Sequence, residues 1–263
     1  IHYTDTGAPD DRPDAPTVFF GHGLLFSGWM FHPQIEALGE HYRCVTIDWR
    51  GQGGSSAVRH GYDMDTLAAD ATALIEHLGL APVHYVGLSM GGFVGQRIAA
   101  RHRNLVRSLT LLDTSAGPED PDNAGQYKLL GAVYRLSGIR PLRKKVLPLM
   151  FGPAFLADRG SAAVIAEWER QLGHCRRAGI SRAVRGVADR ASVAAEIGSI
   201  TAPTLVIVGA DDAATPVRKS ENIAATIPGA RLEVIPDCGH SSTLEQPAAV
   251  TRVIREFLES IGT

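Results

Sequence analysis

Val83-His84-Tyr85-Val86-Gly87-Leu88-Ser89-Met90-Gly91-Gly92-Phe93-Val94-Gly95-Gln96 is the stretch on which the fold turns. Its opening run, Val83–Val86, is short, largely apolar and bounded by turn residues, as a strand buried on both faces requires. Phe93–Ala100 suits a helix. Between them lies G-x-S-x-G, so Ser89 is predicted on a sharp strand–turn–helix bend. On such a bend the backbone is strained, and flanking glycines are needed because neighbouring chains leave no room for side chains. The hydroxyl is pushed up at the strand's C-terminal edge. The helix N-terminus that follows favours developing negative charge there. An ordinary glycine-rich βα turn would look similar, so the reading needs support from elsewhere in the chain.

Working outward, similar short runs recur at Thr17–Phe20, Arg43–Ile47, Ser108–Leu112, Leu205–Val208 and Arg231–Ile235. Helical spacing lies between them. Leu67, Ala71, Leu74, Ile75 and Leu78 share one face, with Asp63 or Asp65 placed to cap its start. Val250, Val253, Ile254, Phe257, Leu258 and Ile261 repeat the pattern, with Pro247 suited to the first turn. Strand alternating with helix predicts an α/β chain built on a mostly parallel sheet flanked by helices.

One stretch breaks the alternation. Residues 116–196 hold no convincing strand and show helical segments near Tyr127–Leu136, Arg143–Met150, Ala162–Leu172 and Ser181–Ala188. Gly138, Pro141, Gly152-Pro153 and Gly160 separate them. The expected organisation is a core of residues 1–115 and 197–263 with a helical cap, 116–196, inserted between two strands. Within 117–190 there are thirteen Lys/Arg and seven Asp/Glu, a local balance of +6 in a chain whose net charge is −2. The rest therefore carries −8. That excess could steer an anionic substrate, or it could be a solvated helical surface.

The bulk properties exclude several classes. Hydrophobic residues are 44% and charged residues 21% of the chain, which fits a packed globular domain rather than a disordered one. A net charge of −2 offers no field for nucleic acid. No apolar run is long enough to span a bilayer. Cys44, Cys175 and Cys238 are too few and too scattered for a disulfide framework or a metal site. The opening Ile1-His2-Tyr3-Thr4-Asp5 lacks a signal-peptide layout, and its abruptness suggests a few native residues upstream. A cytoplasmic protein is expected. Its partner is a small molecule, and a second copy of the chain is left open.

The chemistry is argued from order. A serine hydroxyl needs a base to take its proton, and the base needs a group to hold its tautomer. After Thr204–Val208 comes Gly209-Ala210-Asp211-Asp212-Ala213-Ala214-Thr215-Pro216; after Arg231–Ile235 comes Pro236-Asp237-Cys238-Gly239-His240. Serine first, acid second and histidine third is the order such a turn predicts. Among ten histidines, His240 alone has this placement. Asp212 is the expected acid. Asp211 beside it reads as a surface or capping group. Asp113, also after a strand, is the rival; otherwise it would bond the loop entering the cap. Gly21-His22-Gly23-Leu24 follows Thr17–Phe20, so the backbone N–H groups of Leu24 and Met90 are the expected oxyanion donors, with His22 structural. Phe26, Trp29, Tyr127 and Trp168 head the aromatic and large apolar side chains, Met30, Tyr134, Met150, Phe151 and Phe155 among them, that could line an acyl pocket. Packing of cap on core is the other reading of them. Cys238 reads as a small apolar filler.

Taken together, these residues resemble the α/β-hydrolase superfamily. Asp48-Trp49-Arg50-Gly51-Gln52-Gly53-Gly54-Ser55 is similar to that family's D-x-R-G-x-G-x-S loop, structural there, with Gln52 where a histidine is common. The nucleophile stretch, Asp211–Pro216 and Gly239–Pro247 look most like the 3-oxoadipate enol-lactonase and small esterase group. The resemblance implies two-step acyl transfer from an ester or lactone with no cofactor and no metal. Ser89 would be nucleophile, His240 general base and Asp212 its orienting acid. It argues against the carboxylate-nucleophile branches of the fold. Carbon–carbon bond hydrolysis and cofactor-free perhydrolysis are the rival reactions. A ligand sensor that keeps the triad is the rival of another class.

Overall fold

The computed structural model describes residues 1–262. Seven strands form one sheet among them: β1 (His2–Asp5), β2 (Thr17–Gly21), β3 (Arg43–Asp48), β4 (Val83–Leu88), β5 (Val106–Leu112), β6 (Thr204–Gly209) and β7 (Arg231–Ile235), in the order β1-β3-β2-β4-β5-β6-β7. All neighbours pair in parallel except β1, which runs antiparallel to β3. Six strands match the expected runs to within a residue or two. β1 was not expected. Its sequence, His-Tyr-Thr-Asp, is exposed throughout, so an edge strand with no buried face left no apolar signature.

Alternation along the inner strands feeds two cores. Val18, Phe20, Val86, Leu88, Leu205 and Ile207 face one side of the sheet; Phe19, Val45, Tyr85, Leu109 and Val206 face the other. On the first side lie α1 (His32–Leu38) and the C-terminal helix Pro247–Ile261; on the second lie α2 (Met64–His77) and α3 (Met90–Arg101). Asp63, not Asp65, caps α2: its carboxylate accepts the Thr66 N–H at 2.8 Å, a contact worth about 1 kcal/mol.

Between β5 and β6 the chain forms α4 (Pro121–Ser137), α5 (Arg143–Met150), α6 (Pro153–Ala157), α7 (Ala162–His174) and α8 (Arg177–Ala188). The short α6 was not expected, because five residues after Gly152-Pro153 give too little periodicity to read. α4 packs along α8, and the pair covers the sheet edge at which β4, β6 and β7 end. After β6 come α9 (Val217–Thr226), α10 (Ser242–Glu245) and the C-terminal helix, α11 (Pro247–Ile261), whose Val250, Val253, Ile254, Phe257 and Leu258 are buried.

Candidate active site

Ser89 joins β4 to α3 with φ +51° and ψ −110°, a backbone state that residues with a Cβ rarely adopt. Packing holds it there. A Cβ on Gly91 would stand 1.9 Å from the Gly21 carbonyl oxygen, and one on Gly87 would stand 2.5 Å from the Gly91 oxygen. Neither site can hold a larger residue, so the glycine pattern is a steric requirement of β2, β4 and α3 meeting at this bend. The Ser89 N–H donates to the Leu112 carbonyl at 2.8 Å, and the Thr114 hydroxyl donates to the Ser89 carbonyl at 2.8 Å. The side chain is left free of its own helix end and turned toward the loop after β7.

There it meets His240. Ser89 Oγ lies 2.9 Å from His240 Nε2, and His240 Nδ1 lies 2.9 Å from Asp212 Oδ2 and 3.0 Å from Oδ1. All three residues are buried. Asp212 is gripped in turn by the Ala214 and Thr215 N–H groups, at 2.9 and 2.8 Å, and by the Thr215 hydroxyl at 2.6 Å. Burial opposes a charge on either partner, yet each favours the other's. The charge and hydrogen bond of Asp212 hold the His240 imidazole above its ordinary value. His240 and Thr215 hold the Asp212 carboxyl below its own. Such an arrangement can take a proton from the hydroxyl and stabilise the imidazolium that results. Asp211, the adjacent carboxylate, is exposed and donates its backbone N–H to the Cys238 carbonyl.

Asp113 takes another role. Its Oδ1 accepts the Gly209 N–H at 2.9 Å and its Oδ2 accepts the Ser242 hydroxyl at 2.5 Å, so it joins the ends of β5 and β6 to α10. Sequence reasoning tied it to the loop entering the helical segment, and its partners correct that. Burial, then the charge of Asp212, pushes its carboxyl well up. Burial, then the charges of nearby carboxylates, likewise raises the Cys238 thiol, so the sulfur stays an uncharged filler.

The turn after β2 reaches the same spot. A Cβ on Gly23 would lie 3.7 Å from the Cβ of Ser89. Among the described residues, neither the Leu24 nor the Met90 N–H has a hydrogen-bond partner. His22 braces the turn: Nδ1 contacts the Gly23 carbonyl at 2.7 Å and Nε2 accepts the Trp49 N–H at 3.0 Å. Burial lowers its pKa, as a neutral brace requires. Two side chains that sequence reasoning left without a role act here. Gln52 Oε1 accepts the Leu25 N–H at 2.8 Å, fixing the turn beside Leu24. Buried Glu245 accepts the Gly239 and Ser241 N–H groups on both sides of His240, at 2.8 and 2.9 Å, and that of Gly152 at 2.9 Å. A glutamate five residues beyond the histidine, just before a helix-starting proline, was the available signal.

A family model described as alpha/beta hydrolase fold matches residues 16–247. The chain belongs to that family. This α/β hydrolase is similar to 3-oxoadipate enol-lactonase 2 of Acinetobacter baylyi, at 26% identity over 98% of both chains. Among solved structures it is similar to an esterase from Thermogutta terrifontis, with a TM-score of 0.90 and 30% identity over 100% of this chain and 94% of that one. It is also similar to the enol-lactonase from Burkholderia xenovorans, with a TM-score of 0.89 and 28% identity over 98% and 96%.

In this α/β hydrolase, a cavity of about 100 Å³ opens beside Ser89 and His240. Its walls come chiefly from α4, α5 and α8, with Tyr127, Leu130 and Tyr134 on α4, Val146 on α5 and Val184 on α8. Of the side chains expected to line it, Tyr127, Tyr134 and Met150 are present. Phe26, Trp29 and Trp168 are not. Phe26 packs between Trp29 and Trp168, tilted to each, with ring centroids 5.8 and 6.4 Å away, and Trp168 donates its indole N–H to the Leu25 carbonyl at 3.1 Å. These rings form a joint between the turn after β2 and α7, because Trp168, fully buried, points into the core and away from the cavity. The phenol of Tyr127, lifted by burial and then by Glu119 to about 12, stays neutral.

The net charge of the segment does not reach the cavity. No Lys or Arg lines it among the described residues. Lys128 pairs with Asp189, Arg143 with Glu169 and Arg170 with Glu167 on the outer surface. Among the described residues, no helix is long and apolar enough to cross a membrane.

Proposed function

We propose that this α/β hydrolase is a serine hydrolase that cleaves small carboxylic esters or lactones through an acyl-enzyme on Ser89. The reading rests on one observation: the hydrogen-bonded chain Ser89–His240–Asp212, at 2.9 Å per step, ends at an apolar cavity. Ser89 Oγ attacks the carbonyl carbon as His240 Nε2 accepts its proton. The Leu24 and Met90 N–H groups receive the developing oxyanion, and the N-terminus of α3 adds its dipole. His240 then passes the proton to the leaving alkoxide, which departs as alcohol. A water deprotonated by the same imidazole cleaves the acyl-enzyme and regenerates Ser89. Asp212 keeps the Nδ1 tautomer and balances the imidazolium charge without taking the proton. The helices of residues 116–196 act as the cap that shapes the acyl site. The esterase and enol-lactonase names among its relatives support this class of reaction.

The test is an ester and lactone panel run together with intact-mass detection of a fluorophosphonate adduct. Labelling is expected on Ser89 and is expected to vanish in Ser89→Ala and in His240→Ala. Hydrolysis that survives Ser89→Ala unchanged would refute the mechanism.

A further inference from the structure

The cavity holds one carboxylate, Glu119, in a wall otherwise almost wholly apolar. Glu119 Oε2 accepts from Arg190 Nη1 at 2.6 Å, and both side chains are almost fully buried. The other donors of Arg190 are occupied as well. Nε donates to the Gly117 carbonyl and Nη2 to the Ser115 hydroxyl, each at 3.2 Å, and Nη1 also reaches the Val187 carbonyl at 3.1 Å. The guanidinium carbon sits 4.2 Å from the ring centroid of Phe93, a cavity-lining residue. A full positive charge therefore lies one ring's thickness behind the cavity wall, screened from it by Phe93 and neutralised by Glu119.

Granting the acyl-enzyme reading above, we infer that the cavity takes a short, neutral, apolar acyl group and rejects one that ends in a carboxylate. Glu119 is the specificity-determining residue, because it withholds the Arg190 charge from the site. A carboxylate entering this cavity would lose its hydration and meet no free cation, since Arg190 at 2.6 Å and the partly exposed Lys219 at 3.9 Å are both held by the Glu119 carboxylate. This is the reverse of the anionic substrate suggested by the charge balance of residues 117–190. Size sets the second limit. An apolar cavity of about 150 Å³ holds a benzene ring. One of about 100 Å³ then suits about four carbons beyond the carbonyl, on the same scale.

The experiment compares para-nitrophenyl pentanoate with para-nitrophenyl hemisuccinate, which is close in size but anionic. Pentanoate is expected to lead in kcat/KM by about 100-fold or more, from the desolvation of the carboxylate. Across straight-chain esters from acetate to dodecanoate, the optimum is expected at butyrate to hexanoate. Glu119→Gln frees Arg190 and is expected to narrow the pentanoate-to-hemisuccinate ratio by about tenfold or more. The triple variant Glu119→Gln/Arg190→Met/Lys219→Met removes the carboxylate and both cations that it holds and is expected to restore the wild-type ratio. Hemisuccinate hydrolysed as well as pentanoate by the wild-type protein would overturn the inference while leaving the Ser89 mechanism standing. A folded Glu119→Gln with an unchanged ratio would overturn the role of Glu119. Should Glu119→Gln fail to fold, the wild-type ratio and the chain-length optimum still decide. An absence of turnover on every ester, with no adduct on Ser89, would take down both readings.

Discussion

The loops leaving β4, β6 and β7 and the helices α4, α5 and α8 reach one cavity by opposite routes. The loops hold their side chains by backbone constraint: a strained φ at Ser89, a 1.9 Å approach awaiting any Cβ at Gly91, and N–H groups closing on Asp212 and around His240. The helices hold theirs chiefly by side-chain packing, with Tyr134, Val146 and Val184 pressed between helix faces. Backbone constraint fixes atoms to a fraction of an ångström, as proton transfer demands. Side-chain packing tolerates exchange of residues at similar volume. On the proposed reading, chemistry and selectivity are thus built from materials of different stiffness.

The comparison can be broken most severely on the loop side. Ser89→Ala is expected to lower kcat on an ester by about 10⁵-fold or more, with no change in the urea midpoint, since alanine inherits the same backbone. Loss of activity together with loss of fold would mean that the serine is structural. Asp212→Asn comes next, with a fall in kcat of about 10⁴-fold. Its pH profile carries the sign. The base must be neutral to work, and Asp212 favours the protonated imidazole, so activity should fall as pH drops through a midpoint above 6.5. In Asp212→Asn that midpoint should move down; an acidic limb that stays put would remove Asp212 as the partner.

On the helix side the expected damage is to stability. Trp168→Ala should cost about 3–5 kcal/mol in urea denaturation, by opening the joint with Phe26 and Phe151. It should leave kcat on a short ester within about tenfold, because the turn beside Leu24 loses one hydrogen bond, at the Leu25 carbonyl, while Gln52 still holds the Leu25 N–H. Gln52→Ala tests a loop residue of intermediate weight: the orphaned Leu25 N–H should lower kcat by about tenfold and leave KM alone. The smallest effect is a null one. For a carboxylate-bearing ester, the residual kcat/KM should stay flat up to ~0.5 M salt, since the surface cations of residues 117–190 pair outside the cavity. A falling curve would restore a steering role to them.

The same contrast explains what the sequence made legible. Ser89, His240 and Asp212 could be found because each follows a strand and because the glycines around Ser89 are steric necessities visible as letters. The inner strands were readable because they are buried on both faces. β1 was not, being four polar residues on an edge. The cavity wall was least legible. Helical periodicity identifies a buried face but not whether that face meets the core or a void, so Trp168 and Phe26 looked like lining and turned out to be a joint. Gln52 and Glu245 went unassigned because their partners are backbone N–H groups, which no residue letter records.

Glu245 has a mechanical consequence. One carboxylate clasps the peptide groups flanking the imidazole and the peptide at Gly152, where α5 gives way to α6. That turn therefore cannot swing outward alone. Either it drags the histidine loop along, or it abandons a buried anion with its acceptors empty. Widening the entrance by this route would pull His240 away from Ser89, and the Ser241 hydroxyl, which donates to the Met150 carbonyl at 2.6 Å, is a second tie between the same two loops.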